Sequence, residues 1–410
     1  MLIGIDASRA NRLEKTGTEW YSYHLIRALA AMDSKNSYVL YSDKPLVGGL
    51  LNLGPRQGFE DEENIKIKGG RQIIKSPHNN FSAQILGWPF KNFWTLGRLS
   101  WEMLLRPPDV LFIPAHTLPL IYPKRSVVTI HDLAYLYHKK VYEKASSGFN
   151  YDLKHLIWST KRALKKTWRL ITVSETTKKD ILKEYASEKR SLLAPEVLEK
   201  KIKVVHHGYE KEIYFKASQK PLLPSLKQRF NLKKPYLAYL GRVEEKKGIV
   251  VLVKALALLR QYSEFKDLEL CLIGKAGSGF EEIRKKISEL KLGKVIHLTG
   301  WLEEEEAASL LAHSQAFVYP SLYEGFGLPI LQAMAAGVPV VASRAGAIPE
   351  VAQEAAVLFT SQNEEELKES LLKILSDKEF RETMIKKGLV RSQAFSWERC
   401  AMETLRVLEG

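Results

Sequence analysis

Short, nearly unbroken apolar runs alternate with longer amphipathic stretches along almost all of this 410-residue chain. That alternation is the pattern of strand–helix–strand units and parallel sheets. In the first half it predicts strands at Leu2–Ile5, Val39–Tyr41, Val110–Ile113, Val127–Ile130, Leu170–Val173 and Lys203–His206. In the second half the strands are Tyr236–Leu240, Leu268–Ile273, Val295–Leu298, Phe317–Tyr319, Val338–Val341 and Ala356–Phe359. Helices fill the intervals. Tyr21, Leu25, Ala28, Leu29 and Met32 make one apolar stripe at helical spacing, and Leu153, Leu156, Ile157, Thr160 and Leu164 make another. The last segment, Phe395 to Leu408, reads as a helix with no strand after it.

The pattern breaks between Gly208 and Pro235, where Pro221 and Pro224 interrupt a polar, lysine-rich stretch. A chain of this length exceeds a single core. The reading is therefore α/β, with two Rossmann-like domains, residues 1–215 and 216–394. An aromatic stretch, Trp88, Phe90, Phe93, Trp94 and Trp101, falls where periodicity is weak. Its rings read first as core under a long excursion, with anchoring at a bilayer interface or lining of a lipid groove as the alternative.

Composition narrows the setting. No run approaches the ~20 apolar residues that span a bilayer. Met1-Leu2-Ile3-Gly4-Ile5-Asp6 runs straight into a strand without the features of a secretory signal. Only Cys271 and Cys400 occur, so neither a disulfide framework nor a metal-ligand spacing is present. The expectation is a cytoplasmic protein. Its net charge of +15 is uneven. Residues 1–217 hold 35 Lys+Arg against 22 Asp+Glu (+13), and residues 218–410 hold 27 against 25 (+2). A basic first half suits an anionic membrane surface or a phosphate-bearing acceptor, and it also serves solubility alone.

Candidate chemistry concentrates in Tyr319-Pro320-Ser321-Leu322-Tyr323-Glu324-Gly325-Phe326-Gly327-Leu328, which runs from a strand through a glycine-broken loop into a short helix. A helix starting beside Gly325 and Gly327 aims free N–H groups into the loop, where an anion can sit. A carboxylate there cannot bind that anion, so Glu324 should meet neutral hydroxyls of the same ligand. An anion joined to a polyol describes a nucleotide-sugar. Glu324 and Gln332 are eight residues apart, roughly 12 Å along a helix. That is about the reach from hexose to ribose.

Other polar signals fall at strand ends, where parallel sheets gather ligands. Gly241-Arg242 follows one strand, with Lys247-Gly248 just before the next helix, and the two cations can converge on a diphosphate. His131-Asp132 ends another strand, where the imidazole either meets a sugar hydroxyl or phosphate or caps its own loop. Thr16-Gly17-Thr18 opens a helix, and Ser174 reads as an N-cap. No paired acidic motif suited to Mg²⁺ is present. The leaving-group charge would fall to Arg242, Lys247 and backbone amides, with no metal required. Gly274-Lys275-Ala276-Gly277-Ser278-Gly279 lacks the spacing of a phosphate-binding P-loop.

With Thr16-Gly17-Thr18, Val128-Thr129-Ile130-His131-Asp132-Leu133, Ile171-Thr172-Val173-Ser174-Glu175, Gly241-Arg242, Lys247-Gly248, Leu298-Thr299-Gly300-Trp301, the Glu324 segment and Phe395-Ser396-Trp397 in this order, the chain resembles the glycosyltransferase family 4 group. These are retaining, group 1 enzymes of GT-B fold, and the phrasing is similar to mannosyltransferase-like members. The resemblance implies two Rossmann-like domains facing across a cleft, with a closing helix, residues 395–410, that packs back on the first. It implies donor binding by the second domain and acceptor binding by the first. Arg242 and Lys247 would hold the diphosphate, and Glu324 the transferred sugar. Gly325, Phe326, Gly327 and Leu328 would surround that sugar with backbone amides. Gly300, Trp301 and Leu302 would meet the base, His131 the sugar, and Gly17 the phosphate or acceptor. The family's motif has a second glutamate at Gln332, which normally accepts from the ribose. Glutamine keeps one acceptor and loses the charge.

The leading expectation is a metal-independent hexosyltransferase using GDP-mannose or a UDP-hexose and a glycan or polyprenyl-linked acceptor, in surface polysaccharide or glycolipid synthesis. It would lie at the cytoplasmic face of the membrane, with no nucleic-acid partner. The alternatives are a nucleotide-sugar 2-epimerase of the same fold and a non-catalytic module that binds a nucleotide-sugar or polyanion.

Overall fold

The computed structural model describes residues 1–54, 67–90, 93–138, 150–186 and 193–410. These fall into two compact units. The first holds Met1–Asp132, Tyr151–Gly208 and Trp397–Gly410, and the second holds Leu133–Asn150 and Tyr209–Ser396. Two segments placed with residues 1–215 from sequence, 133–138 and 209–215, thus cluster with the second unit. The helix Lys211–Ser218 packs there against Glu304–Ala312.

In the first unit the strands are β1 (Leu2–Asp6), β2 (Ser37–Ser42), β3 (Ile67–Lys68), β4 (Arg71–Gln72), β5 (Phe81–Ile85), β6 (Val110–Ile113), β7 (Ser126–Ile130), β8 (Arg169–Thr172) and β9 (Ile202–Val204). They form one sheet in the order β3-β4-β5-β2-β1-β6-β7-β8-β9. All neighbours run parallel except along β3–β4–β5. β6 and β7 are buried at every residue, because helices cover both faces of a parallel sheet.

The sequence pattern misses β3 to β5 for a physical reason. Phe81 and Ala83 alternate with the polar Ser82 and Gln84, and β4 is two residues long. Long-range bonds hold this edge instead. The Gln72 amide accepts from Leu46 N at 2.8 Å and donates to Leu46 O at 3.1 Å. The aromatic stretch beyond is split. Trp94 is buried and donates Nε1–H to Leu86 O at 2.7 Å, whereas Phe90, Phe93 and Trp101 are exposed. Reading that stretch as uniform core is therefore corrected.

The helix Gly17–Met32 buries Tyr21, Leu25 and Leu29, but Met32 at its end is exposed. Against it lies the closing helix Trp397–Glu409, which returns to the first unit and buries Trp397, Cys400, Ala401, Val407 and Leu408. Arg125 donates to its last carbonyls, Leu408 O at 3.1 Å and Glu409 O at 2.6 Å, where a cation also complements the helix dipole. Ser174 caps its helix as read, accepting from Thr177 N at 3.0 Å.

The second unit has β10 (Tyr236–Leu240), β11 (Glu269–Ile273), β12 (Ile296–Gly300), β13 (Ala316–Tyr319), β14 (Val340–Ser343) and β15 (Ala356–Phe359). Their order is β12-β11-β10-β13-β14-β15, every pair parallel. All six carboxyl ends therefore open on one edge. Among the described residues, no helix is long and apolar enough to cross a membrane.

Candidate functional site

Two loops on that carboxyl edge are locked together, backbone to backbone. After β10, Gly241 (φ +141°) leads through Arg242 into the turn Glu245–Lys247, and Gly248 (φ +65°) opens the helix Ile249–Leu259. After β13, Pro320 to Gly327 lead into the helix Leu328–Ala335, which Gly327 caps at φ +101°. Leu322 N donates to Lys246 O at 2.9 Å. A Cβ on Gly248 would lie 2.1 Å from Pro320 O, so only glycine lets the loops approach.

This contact delivers Lys247 to Glu324. Their Nζ–Oε1 separation is 2.5 Å, and both side chains are largely buried. Burial by itself pushes the Glu324 carboxyl up. The Lys247 ammonium and hydrogen bonds from Lys247 and Ser321 outweigh it and hold the group below the usual glutamate range. Burial likewise pushes Lys247 down, and Glu324 outweighs it, so the ammonium titrates above its ordinary value. Ser321 Oγ donates to the same Oε1 at 2.5 Å, and Lys247 Nζ reaches the Tyr319 hydroxyl at 3.4 Å. The loop is pinned from β14 as well. Ser343 Oγ donates to Ser321 O, and Ala347 N donates to Glu324 O at 2.8 Å.

Arg242 sits on the same loop as Lys247 but faces solvent, its Nε 3.8 Å from Glu244. Buried Glu244 also takes Lys246 Nζ at 3.3 Å. The glycine-rich segment set aside for its spacing proves to be the buttress of this loop. Val243 N donates to Lys275 O, Gly277 N to Val243 O and Glu245 N to Ser278 O, all within 2.9 Å. A Cβ on Gly274 would lie 2.0 Å from Gly241 O. Gly300 ends β12 on the same edge at φ +69° and bridges Gly274, with Trp301 exposed and Leu302 buried beside it.

Gly325, Phe326 and Gly327 are buried, Leu328 half so, and the Phe326 ring packs edge-on to Phe395 at 5.6 Å. Gln332 lies half-buried on the helix. That helix starts at Leu328, four residues beyond Glu324, so helical rise does not set the Glu324–Gln332 separation.

His131 and Gly17 belong to the first unit. His131 is buried, its Nε2 2.9 Å from Pro114 O. A carbonyl only accepts, so Nε2 carries the proton. Burial pushes the imidazole's pKa down, keeping the ring neutral with Nδ1 an acceptor. Tyr21 meets the ring edge-on at 4.9 Å. Gly17 is exposed at the start of its helix, with open space where a Cβ would stand.

The structure thus brings Lys247 and Glu324 into contact and sets Arg242 and Gly300 on the same sheet edge. The sequence reading missed Ser321, Glu244 and Gly346. Ser321 and Glu244 lie beside residues already singled out. Gly346 (φ +54°), whose Cβ would lie 2.3 Å from Glu324 O, has no local signal at all.

Residues 225–391 match the family described as Glycosyl transferases group 1. Among curated relatives, the chain is 33% identical over 253 residues to MMP alpha-(1->4)-mannosyltransferase of Mycolicibacterium hassiacum, covering 61% of this chain and 56% of that protein. It is 30% identical over 193 residues to O-antigen chain mannosyltransferase B of Escherichia coli, covering 47% and 50%. The chain therefore spans about half the length of these relatives. In fold it is similar to sucrose-phosphate synthase from Thermosynechococcus elongatus, with a TM-score of 0.71 and 21% identity over 100% of this chain and 98% of that one. Residues 225–391, which carry both loops of the Lys247–Glu324 pair, are thus similar to the group 1 glycosyltransferases, within a chain of GT-B fold.

Proposed function

We propose that the chain is a retaining hexosyltransferase that uses a nucleoside-diphosphate sugar. The buried Lys247–Glu324 pair on the carboxyl edge carries this reading. A carboxylate held ionised by a cation can accept from sugar hydroxyls, and the cation can turn to a diphosphate. In the reaction the bond between the anomeric carbon and the phosphate oxygen breaks, and its electron pair stays with the diphosphate. Arg242, Lys247 and the amides ahead of the helix Leu328–Ala335 meet that charge without a metal. An acceptor hydroxyl oxygen bonds the same carbon, and its proton passes to the leaving phosphate.

Mannose from GDP-mannose is the donor we favour, since the two relatives described above are named as mannosyltransferases. The acceptor we favour is a glycan or lipid-linked one at the cytoplasmic membrane face. Turnover measured across GDP-mannose, UDP-glucose and related donors tests this. GDP-mannose consumption that persists under excess chelator is expected. Neither binding nor turnover with any donor would overturn the reading.

Gln332 occupies the position of the family's second glutamate. Gln332→Glu is expected to strengthen donor binding by about 1 kcal/mol, roughly fivefold in KM, with kcat little changed. An unchanged KM would remove Gln332 from the ribose contact.

A further inference from the structure

The first unit carries an apolar surface that the proposed reaction does not use. A π-helical turn, Thr95–Leu99, runs into the helix Ser100–Leu105. That helix buries Glu102 and Met103, while Trp101, Leu104 and Leu105 are each more than half exposed. Trp101 lies three and four residues before the leucines, so the three share a face. The neighbouring loop adds exposed Leu120, whose N–H donates to Ser100 Oγ at 2.7 Å. Arg162 then donates to Leu120 O at 2.8 Å, joining this loop to the helix Asn150–Lys166. Three elements therefore form one continuous surface.

The charge beside this patch identifies its partner. Lys154, Trp158, Lys161 and Lys165 recur at helical spacing on the exposed side of that third element. From Leu153 to Arg169 there are six Lys and Arg residues and no Asp or Glu. On the apolar helix itself the acid is neutralised, with buried Glu102 taking Arg98 at 3.2 Å and Arg106 at 2.8 Å. Exposed leucines and tryptophans suit the interfacial layer of a bilayer, and an acid-free row of lysines suits anionic headgroups. A nucleic acid would use the lysines but leave the leucines in water.

We propose that this face, built from Ser100–Leu105, Leu120 and the lysine-bearing side of Asn150–Lys166, docks the protein on an anionic lipid bilayer. Its purpose rests on the reading above, in which the acceptor is lipid-linked. The docking itself is tested without donor, so the two can fail separately. Purified full-length protein is sedimented with vesicles of phosphatidylcholine alone or mixed with phosphatidylglycerol. Binding to the mixed vesicles is expected to exceed binding to neutral ones at least tenfold and to weaken with salt.

Leu104→Ser with Leu105→Ser, and separately Lys154→Glu with Lys161→Glu, should each reduce vesicle binding about tenfold. All four positions are exposed, so thermal melting should be unchanged. Turnover with a soluble acceptor should also be retained. No vesicle binding, or binding unmoved by both variants, would overturn the proposal. So would self-association by light scattering that the leucine variant abolishes, which would assign the face to a second copy of the chain. Vesicle binding without any donor turnover would uphold the surface and discard the transferase reading.

Discussion

Glu324→Gln is expected to reduce sugar transfer ~100-fold or more while tightening the hold on free nucleoside diphosphate. The opposite signs follow from one contact. Lys247 is bonded to Glu324 at 2.5 Å, so a diphosphate must draw the ammonium away from an ionised carboxylate. Glutamine releases the ammonium and removes the nearby negative charge, and a tenfold gain in affinity corresponds to about 1.4 kcal/mol. The same substitution removes the charged acceptor proposed for the sugar hydroxyls, so transfer is expected to fall. Calorimetric titration with GDP and UDP, beside initial rates, separates the two effects. Weaker diphosphate binding in Glu324→Gln would remove the exchange of partners from the mechanism.

Lys247→Met should lose both properties. It leaves a buried carboxylate unpaired, at a cost of about 3–5 kcal/mol. The pH dependence has a definite sign. Glu324 titrates lower when folded, so its stabilisation is complete above the ordinary glutamate value of 4.5 and is lost as pH falls through the folded value. Lys247 titrates higher when folded, so its share is complete below 10.5 and fades as pH rises through the folded value. Wild-type stability from this pair should therefore be level between those limits and decline outside them. The double variant Lys247→Met, Glu324→Gln should lack both declines.

The second large effect is expected from a methyl group. Gly346→Ala places Cβ 2.3 Å from Glu324 O, at a backbone angle of +54° that L-residues avoid. The Ala347–Glu324 backbone bond must yield, and the Glu324 loop shifts with it. A loss of about 2–3 kcal/mol, a melting point lower by roughly 5–10 °C, and transfer reduced by about 100-fold are expected. Gly17→Ala is the contrast, since nothing lies within 4 Å of its added carbon. It should melt normally, and any loss of rate there would report on ligand approach. Normal melting and rate in Gly346→Ala would show that the Glu324 loop does not depend on this close approach.

Much of the architecture was legible because parallel strands buried on both faces carry dense apolar runs. Val110–Ile113, Tyr236–Leu240 and Ala356–Phe359 are observed with the boundaries that pattern predicts. β5 was not legible, since two of its five residues are polar and its place is fixed by partners such as Tyr38, 43 residues earlier along the chain. At the site, Glu324 and Lys247 could each be picked out from loop chemistry. Their direct bond could not, because 77 residues separate them and it takes the close approach of the Gly248 and Pro320 loops to bring them together. The glycines that permit the approach leave no periodic trace. Their necessity shows only in what a side chain would strike.

The closing helix has a practical consequence for dividing the protein. A recombinant fragment ending at Gly208 would keep Tyr21, Leu25 and Leu29 but forgo Trp397, Cys400, Ala401, Val407 and Leu408, which belong to the same apolar cluster. Such a piece should precipitate or self-associate through the bared groove on the helix Gly17–Met32. A synthetic peptide of residues 397–410 supplied in trans, or the same residues grafted behind Gly208 through a flexible tether, should restore it to solution.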